Sequence, residues 1–189
     1  MSEMSFEKFF GRSALLLVLG LSAFSVSAEE KEEFYVGLDA YYLLNSLGNS
    51  ATGKAEFDLA GAGFRAGMYI EPQLGIELYA AQGVNEAEDI GIDINVESIA
   101  GILGRFESPE AENGGKLYIL LGYGMSELEM KRSASSLADR ELYHGFVYGG
   151  GAEFRLGETN SFINIQGLRY YDEDDISLDG LSLGLRYGF

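Results

Sequence analysis

The chain has 189 residues with one histidine, no cysteine and no tryptophan, and 30 acidic side chains outnumber 13 basic ones for a net charge of −17. That balance excludes a nucleic-acid partner, because phosphate contacts need a surplus of Lys and Arg on some face. With one His and no Cys, neither a disulfide framework nor a Cys/His metal centre is available, so stability has to come from backbone pairing and packing.

At the N-terminus, Lys8 and Arg12 precede an apolar run from Ala14 to Phe24, and Val26-Ser27-Ala28 follows ahead of Glu29, Glu30, Glu32 and Glu33. This is the three-part order of a cleavable secretory signal. Residues 1–28 are therefore expected to be removed after Ala28, leaving a short acidic segment, 29–33, ahead of one domain, 34–189. As a membrane anchor the run is too short, since a spanning helix needs about 20 apolar residues, and Gly20, Ser22 and Ser25 interrupt this one. Glu3, Glu7, Lys8 and Arg12 cancel, so the acidity belongs to the exported part.

Beyond residue 33 no stretch keeps apolar residues at helical spacing for three turns, whereas period-two alternation recurs between polar breaks. It predicts strands at 34–44, 57–70, 74–83, 91–107, 116–128, 141–156, 162–172 and 176–189. The breaks alternate in character: 71–73 and 157–161 are short, while 45–56 and 130–140 are longer and polar, with 108–115 a longer exception among the turns. Short turns at one end and longer loops at the other describe an antiparallel up-and-down arrangement with both chain ends on the turn side.

Which face is apolar separates a membrane barrel from a soluble one. In the first strand Phe34, Val36, Leu38, Ala40, Tyr42 and Leu44 oppose Tyr35, Gly37, Asp39, Tyr41 and Leu43. In the last, Leu181, Leu183, Leu185, Tyr187 and Phe189 oppose Gly180, Ser182, Gly184, Arg186 and Gly188. One face is continuously lipid-like, and the other combines Gly with charges of both signs. An eight-stranded barrel has an interior just wide enough for side chains, so Arg65, Glu77, Glu97, Arg105, Glu153, Arg155 and Arg186 are expected inside as a network of ion pairs. About ten residues at roughly 3.3 Å each, tilted near 40°, span a hydrocarbon band of about 25 Å. Aromatic residues are expected to ring both edges of that band, Phe34, Phe106, Phe154, Phe162, Tyr187 and Phe189 at one and Tyr42, Phe57, Tyr123, Phe146, Tyr148 and Tyr171 at the other. The fold class is thus all-β, an eight-stranded antiparallel transmembrane β-barrel.

The segments Gly61–Tyr69, Leu74–Leu78, Tyr148–Arg155 and Tyr187-Gly188-Phe189, in that order and spacing, resemble the OmpA/OmpX-type family of small outer-membrane β-barrels across residues 34–189. Ser182, Gly184, Tyr187 and Phe189, spaced polar-x-Gly-x-x-aromatic-x-aromatic, resemble the C-terminal recognition signal of such barrels. The resemblance implies a location in the cell outer membrane, contact with its lipid and lipopolysaccharide, and assembly by the barrel-insertion machinery. No periplasmic domain is expected after the barrel, so the peptidoglycan anchoring of longer members is not implied. Nor is a shared activity, since one fold hosts many functions.

Candidate chemistry is sparse. His144 shares the outward face with Phe146 and Tyr148. Lipid A deacylases of the outer membrane carry a Ser two residues after an outward-facing His; here that position is Phe146, and Ser133, Ser135 and Ser136 lie only in the preceding loop. No carboxylate is placed to orient the ring. Asp172, Glu173, Asp174 and Asp175 form an acidic loop that invites a divalent cation but lacks the Gly and ligand spacing of an EF-hand; a solvated tip is the plainer reading. No catalytic, cofactor or metal site is expected. The expected protein is a monomeric, non-enzymatic barrel with a plugged polar interior, serving envelope structure or surface interaction through its outer loops. A narrow passive pore and a lipid A-modifying enzyme are the alternatives.

Overall fold

The computed structural model describes residues 33–47, 55–85, 87–89, 92–132, 138–173 and 176–189. The secretory signal expected at 1–28 lies outside them. Every described element is a strand: β1 Phe34–Leu47, β2 Ala55–Glu71, β3 Leu74–Gly83, β4 Ala87–Asp89, β5 Ile92–Glu107, β6 Gly115–Arg132, β7 Ala138–Arg155, β8 Ser161–Glu173 and β9 Ile176–Gly188. Each pairs antiparallel with its neighbours, and β1 pairs with β9 as well as β2, so β1, β2, β3, β5, β6, β7, β8 and β9 close an eight-stranded barrel. β4 is a short ribbon on β5 beyond the end of β3, where the sequence shows only a break.

The strands run farther than their alternation suggests. β1 reaches Leu47, β2 starts at Ala55, β6 reaches Arg132 and β7 starts at Ala138, so much of what reads as polar loop is paired backbone. At the opposite end the turns are Pro72-Gln73, Ser108–Gly114 and Leu156–Asn160, with Gly114 (φ 76°) and Gly157 (φ 64°) in the left-handed region that glycine adopts without cost. Both chain ends meet at this turn end, where Phe34 N donates to Phe189 O at 3.2 Å and Phe189 N to Phe34 O at 2.9 Å.

Along β1 and β9 the observed burial alternates as the sequence alternates: Tyr35, Asp39, Tyr41 and Leu43 face in, while Leu38, Tyr42, Leu181, Leu183 and Leu185 face out and are exposed. Three register shifts interrupt the pairing, one of them between Tyr69 and Glu71 of β2 at the turn end and the other two within β5 and β8. In β5, Val96 pairs with Leu128 and Ser98 with Glu127, leaving Glu97 as the extra residue; in β8, Arg169 pairs with Asp179 and Tyr171 with Leu178, leaving Tyr170 extra. A bulge shifts the inward phase by one residue, and beyond it in β8 both Tyr170 and Tyr171 are buried. Tyr171 therefore leaves the aromatic edge expected of it, and so do Phe57 and Phe162, which turn inward and are no more than 1% exposed.

The interior is layered. Toward the turn end it holds Arg, Asp and Glu with tyrosines, and toward the loop end an apolar cluster to which all eight barrel strands contribute, among them Leu43, Phe57, Ala81, Val96, Leu128, Val147, Tyr171 and Leu178. The outer surface changes in the opposite sense. Leu44 of β1 pairs with Asp58 on one side and Asp179 on the other, and Asp179 pairs with Arg169. At this row the outward positions turn from apolar to charged just where the inward positions turn from charged to apolar.

Glycines make the filling possible by standing opposite the largest inward side chains. Tyr35 pairs with Gly67, Gly37 with Arg65 and Tyr118 with Gly151. A Cβ on Gly67 would lie 2.2 Å from Tyr35 Cζ, and that ring is pinned because its hydroxyl donates to Glu77 Oε2 at 2.7 Å. Overpacking of this kind costs about 1–3 kcal/mol, so Gly67→Ala is expected to lower the unfolding free energy measured by urea titration from detergent micelles by that amount, with a correspondingly lower midpoint. An unchanged midpoint would show that the ring has free space.

Candidate functional site

Two regions concentrate polar chemistry, the charged layer inside the barrel and the loop end. Arg105, fully buried on β5, is held by three carboxylates: Nη1 lies 3.2 Å from Glu77 Oε2, Nε 2.5 Å from Glu107 Oε1 and Nη2 2.8 Å from Glu153 Oε1. Glu153 also takes Arg186 Nε at 3.0 and 3.1 Å through its two oxygens. Tyr69 donates to Glu107 at 2.6 Å, and Lys116 Nζ stands 3.6 Å from the same carboxylate. Arg65 forms a second centre, donating from Nε to Asp39 Oδ2 at 2.7 Å and from Nη2 to Asp39 Oδ1. Its Nη1 reaches Gln166 at 3.0 Å and its Nη2 also reaches Asn164 at 3.1 Å.

Aromatic faces complete the setting. The Arg105 guanidinium lies 3.8 Å over the Tyr118 ring and that of Arg186 4.0 Å over Phe162. Planar guanidinium stacks on rings and forks toward carboxylates at once, which an ammonium cannot do. Three arginines, with Lys116 the only lysine beside them among the described residues, therefore suit a space too narrow for hydration shells.

The structure brings together Arg65, Glu77, Arg105, Glu153 and Arg186 in these two centres. It adds Asp39, Glu107 and Lys116, of which Asp39 and Glu107 carry their signal in the sequence as the inward phase of their strands. Of two more residues expected inside the network, Glu97 stands apart, and Arg155 sits at its edge, sharing Glu110 with Lys116 Nζ at 3.8 Å and the Phe162 ring with Arg186. Glu97 is the bulge residue of β5, so the phase that buries Arg105 buries Val96 instead, and Glu97 accepts from Asn95 Nδ2 at 3.0 Å near the loop end. Arg155 lies at the turn end, where Nε and Nη2 donate to Glu110 at 2.8 and 2.7 Å and Nη1 to Thr159 O at 3.1 Å. Of the acidic loop, Asp172 accepts from Arg169 Nη1 at 2.8 Å, while the Glu173 side chain and Asp174 and Asp175 lie outside the described residues. Among the described residues no group of three or more His, Cys, Asp or Glu is arranged to hold a metal ion.

On the outside of the barrel, His144 Nδ1 lies 2.8 Å from the Tyr123 hydroxyl, and Tyr123 meets Phe146 edge to face at 5.9 Å. Of the terminal signal, Ser182 and Gly184 face inward, and Tyr187 and Phe189 face outward with ring centroids 5.9 Å apart.

The profile of the outer membrane protein beta-barrel domain family matches residues 13–189. No curated protein matches the chain. Among solved structures, Ail, the attachment invasion locus protein of Yersinia pestis, in complex with the heparin analogue sucrose octasulfate, is 18% identical. It aligns over 83% of this chain and 99% of its own with a TM-score of 0.57. Neisserial surface protein A is 13% identical over 82% of this chain and 97% of its own, TM-score 0.59. The N-terminal β-barrel domain of Pseudomonas aeruginosa OprF is 15% identical over 81% and 97%, TM-score 0.53. At these identities the likeness is one of fold.

Removing one member of a buried ion pair costs about 3–5 kcal/mol, because the partner is left charged and unpaired. Glu153→Gln strips both Arg105 and Arg186 of a carboxylate and is expected to destabilise the barrel by that amount in urea titration; a loss under about 1 kcal/mol would contradict the network's role. At the turn end, the hydrogen bonds from Arg155 hold the Glu110 carboxyl below the usual carboxylate range. A depressed folded pKa adds stability above the unfolded value, about 4.3, and loses it as pH falls through the folded one. The pair is partly exposed and worth under about 1 kcal/mol. Glu110→Gln is thus expected to trail the parent slightly in urea titrations at neutral pH and to match it once pH drops well below about 4.

Proposed function

We propose, on the premise that this chain belongs to the outer membrane protein beta-barrel domain family, that it is a non-enzymatic outer-membrane barrel with a closed interior whose acidic outer end engages cationic partners. The observation that carries the reading is the division of charge. Inside, Arg65, Arg105, Arg186 and Lys116 face Asp39, Glu77, Glu107 and Glu153, so cations and anions balance. At the loop end they do not. Residues 82–98 carry Glu86, Glu88, Asp89, Asp93 and Glu97 with no Lys or Arg, and residues 169–179 carry Asp172, Glu173, Asp174, Asp175 and Asp179 against Arg169 alone.

In barrels of this kind the short turns face the periplasm and the other end faces outward, which makes the acidic end the outer one. A surface of that sign attracts polycations and repels polyanions over about one Debye length. The expected partner is thus opposite in charge to the sulfated sugar that Ail holds in its complex. The non-enzymatic reading is supported at His144, whose described hydrogen-bond partner is a phenol on a lipid-like face, where a nucleophile and an orienting carboxylate would be needed.

Vesicles of neutral lipid carrying the protein with its outer end exposed test this reading. They are expected to adhere to a polylysine-coated surface and not to a heparin-coated one, and to lose adhesion in about 1 M salt, where the Debye length falls to about 3 Å. Neutralising Asp58, Glu86, Glu88, Asp89, Asp93, Glu127, Asp172, Glu173, Asp174 and Asp175 to their amides should abolish the difference between the two surfaces. Adhesion that survives neutralisation, or that favours heparin, would overturn it.

A further inference from the structure

We infer that the barrel is sealed by its apolar layer near the loop end and not by the ion pairs beneath it; the inference rests on the closed-interior reading above. Leu43, Phe57, Val96, Leu128, Val147 and Leu178, from six different strands, are each at most 1% exposed. Ala81 of β3 and Tyr171 of β8 join them, so all eight barrel strands contribute to the layer, with Ser126 and Glu129 the buried polar neighbours of Leu128 on β6.

The two layers present different obstacles to a hydrated ion. Arg105 has carboxylates from Glu77, Glu107 and Glu153 within reach, and Glu153 is shared with Arg186. A network with such redundancy can exchange partners, and a passing ion can stand in for one of them. The apolar layer offers nothing to exchange, since an ion entering it loses its water and gains no partner. A chain of apolar contacts also has no pairs to reshuffle.

Lipid does not account for this layer. At its level the outward positions include Asp58, Glu127, Arg169 and Asp179, which belong in water or among headgroups, beside the apolar Leu44 and Leu142. Here the barrel is apolar inside and mixed outside, whereas below Leu44 the outer face is apolar and the charges lie inside. The strand ends therefore carry a core of their own, and that core lies across the axis.

Because the chain has no cysteine, a Ser182→Cys thiol reports on a single place. Ser182 faces inward on β9, four residues below Leu178, and its Oγ has no hydrogen-bond partner among the described atoms, so the exchange removes no hydrogen bond seen there. The full chain is displayed on intact cells, and a small cationic methanethiosulfonate is added outside. The thiol is expected to be unreactive in the otherwise parental barrel. Its rate should rise at least about tenfold, the factor that roughly 1.4 kcal/mol supplies, with Phe57→Ala and, separately, with Leu128→Ala. Phe57→Leu, which keeps the layer filled, and Asp39→Asn, which breaks the Arg65 pair below it, should leave the thiol protected. Insertion of each variant is checked by its heat-dependent gel mobility, and reading the two truncations separately keeps the test decisive if one fails to fold. Protection unchanged in the folded truncations, or exposure by Asp39→Asn, would overturn the seal. A Ser182→Cys thiol that reacts as fast in the parental barrel as an exposed Glu141→Cys thiol would also overturn the seal, because Ser182 lies above Asp39 and its ion pair, whereas sustained single-channel conductance of the parental barrel in a planar bilayer would overturn the closed-interior reading itself.

Discussion

Closing eight strands on themselves leaves an interior only as wide as the side chains that must fill it, and the rest of this structure follows from that limit. Each large inward residue needs an empty place across the wall. The register supplies it by setting glycine opposite Tyr35, Arg65, Asp39 and Tyr118. With the glycine in place, a buried guanidinium can lie flat on an aromatic ring and still reach carboxylates on other strands, as Arg105 does across Tyr118. The ion pairs therefore depend on the glycines as much as on opposite charge. A one-residue slip would turn the inward set outward, and a two-residue slip of β1 against β2 would place Gly37 against Gly63 and Arg65 against Tyr35, so the same pattern also fixes register.

The same strands obey two solvents in succession. Below the row of Leu44 the wall is apolar outside and holds its charges inside, and above it charged side chains join the outer face while the interior is mostly apolar. The exchange requires no break in the strands, because each keeps its alternation while the identity of the two faces changes. Asp58 follows the outward phase of Ala60 and Phe57 the inward phase of Gly61. Pairing continues past the lipid-like band, which turns segments that look like loops into extended wall. The bulges at Glu97 and Tyr170 lie in or beside this upper part, where a local change of phase does not have to respect the hydrocarbon boundary.

The barrel class, the eight principal strands and the side on which Arg65, Glu77, Arg105, Glu153 and Arg186 lie could be read from alternation alone, because period two is a local property of the chain. What could not be read depended on neighbours. The bulges that move Glu97, Tyr170 and Tyr171 arise from a mismatch between two strands, and neither strand announces it. Phe57 and Phe162 were assigned to the outer surface on residue type, although the parity of their own strands turned them inward; Leu59 and Arg65 share the phase of Phe57, as Asn164 and Gln166 share that of Phe162. The apolar layer was hidden for a related reason. Its members come one or two per strand, and only closure assembles them at one level.

The balance of charge inside explains why the strong acidity of the chain carries no penalty for the fold. Unpaired carboxylates in a narrow interior would have to be neutralised, since burying a lone charge is prohibitively unfavourable. The interior instead matches its anions with arginine and Lys116 and leaves the surplus at the loop end, where solvent screens it. Mutual repulsion there is tolerable only if the strand ends are held by something other than their surface. The apolar core beneath them provides that hold: Leu43, Phe57, Leu128 and Leu178 bind the strand ends from within, so the outward carboxylates can repel one another without parting the wall. The outward carboxylates and the inward apolar side chains thus come from neighbouring residues of the same strands, as Asp58 does between Phe57 and Leu59, so the repulsion outside is opposed by packing directly behind it.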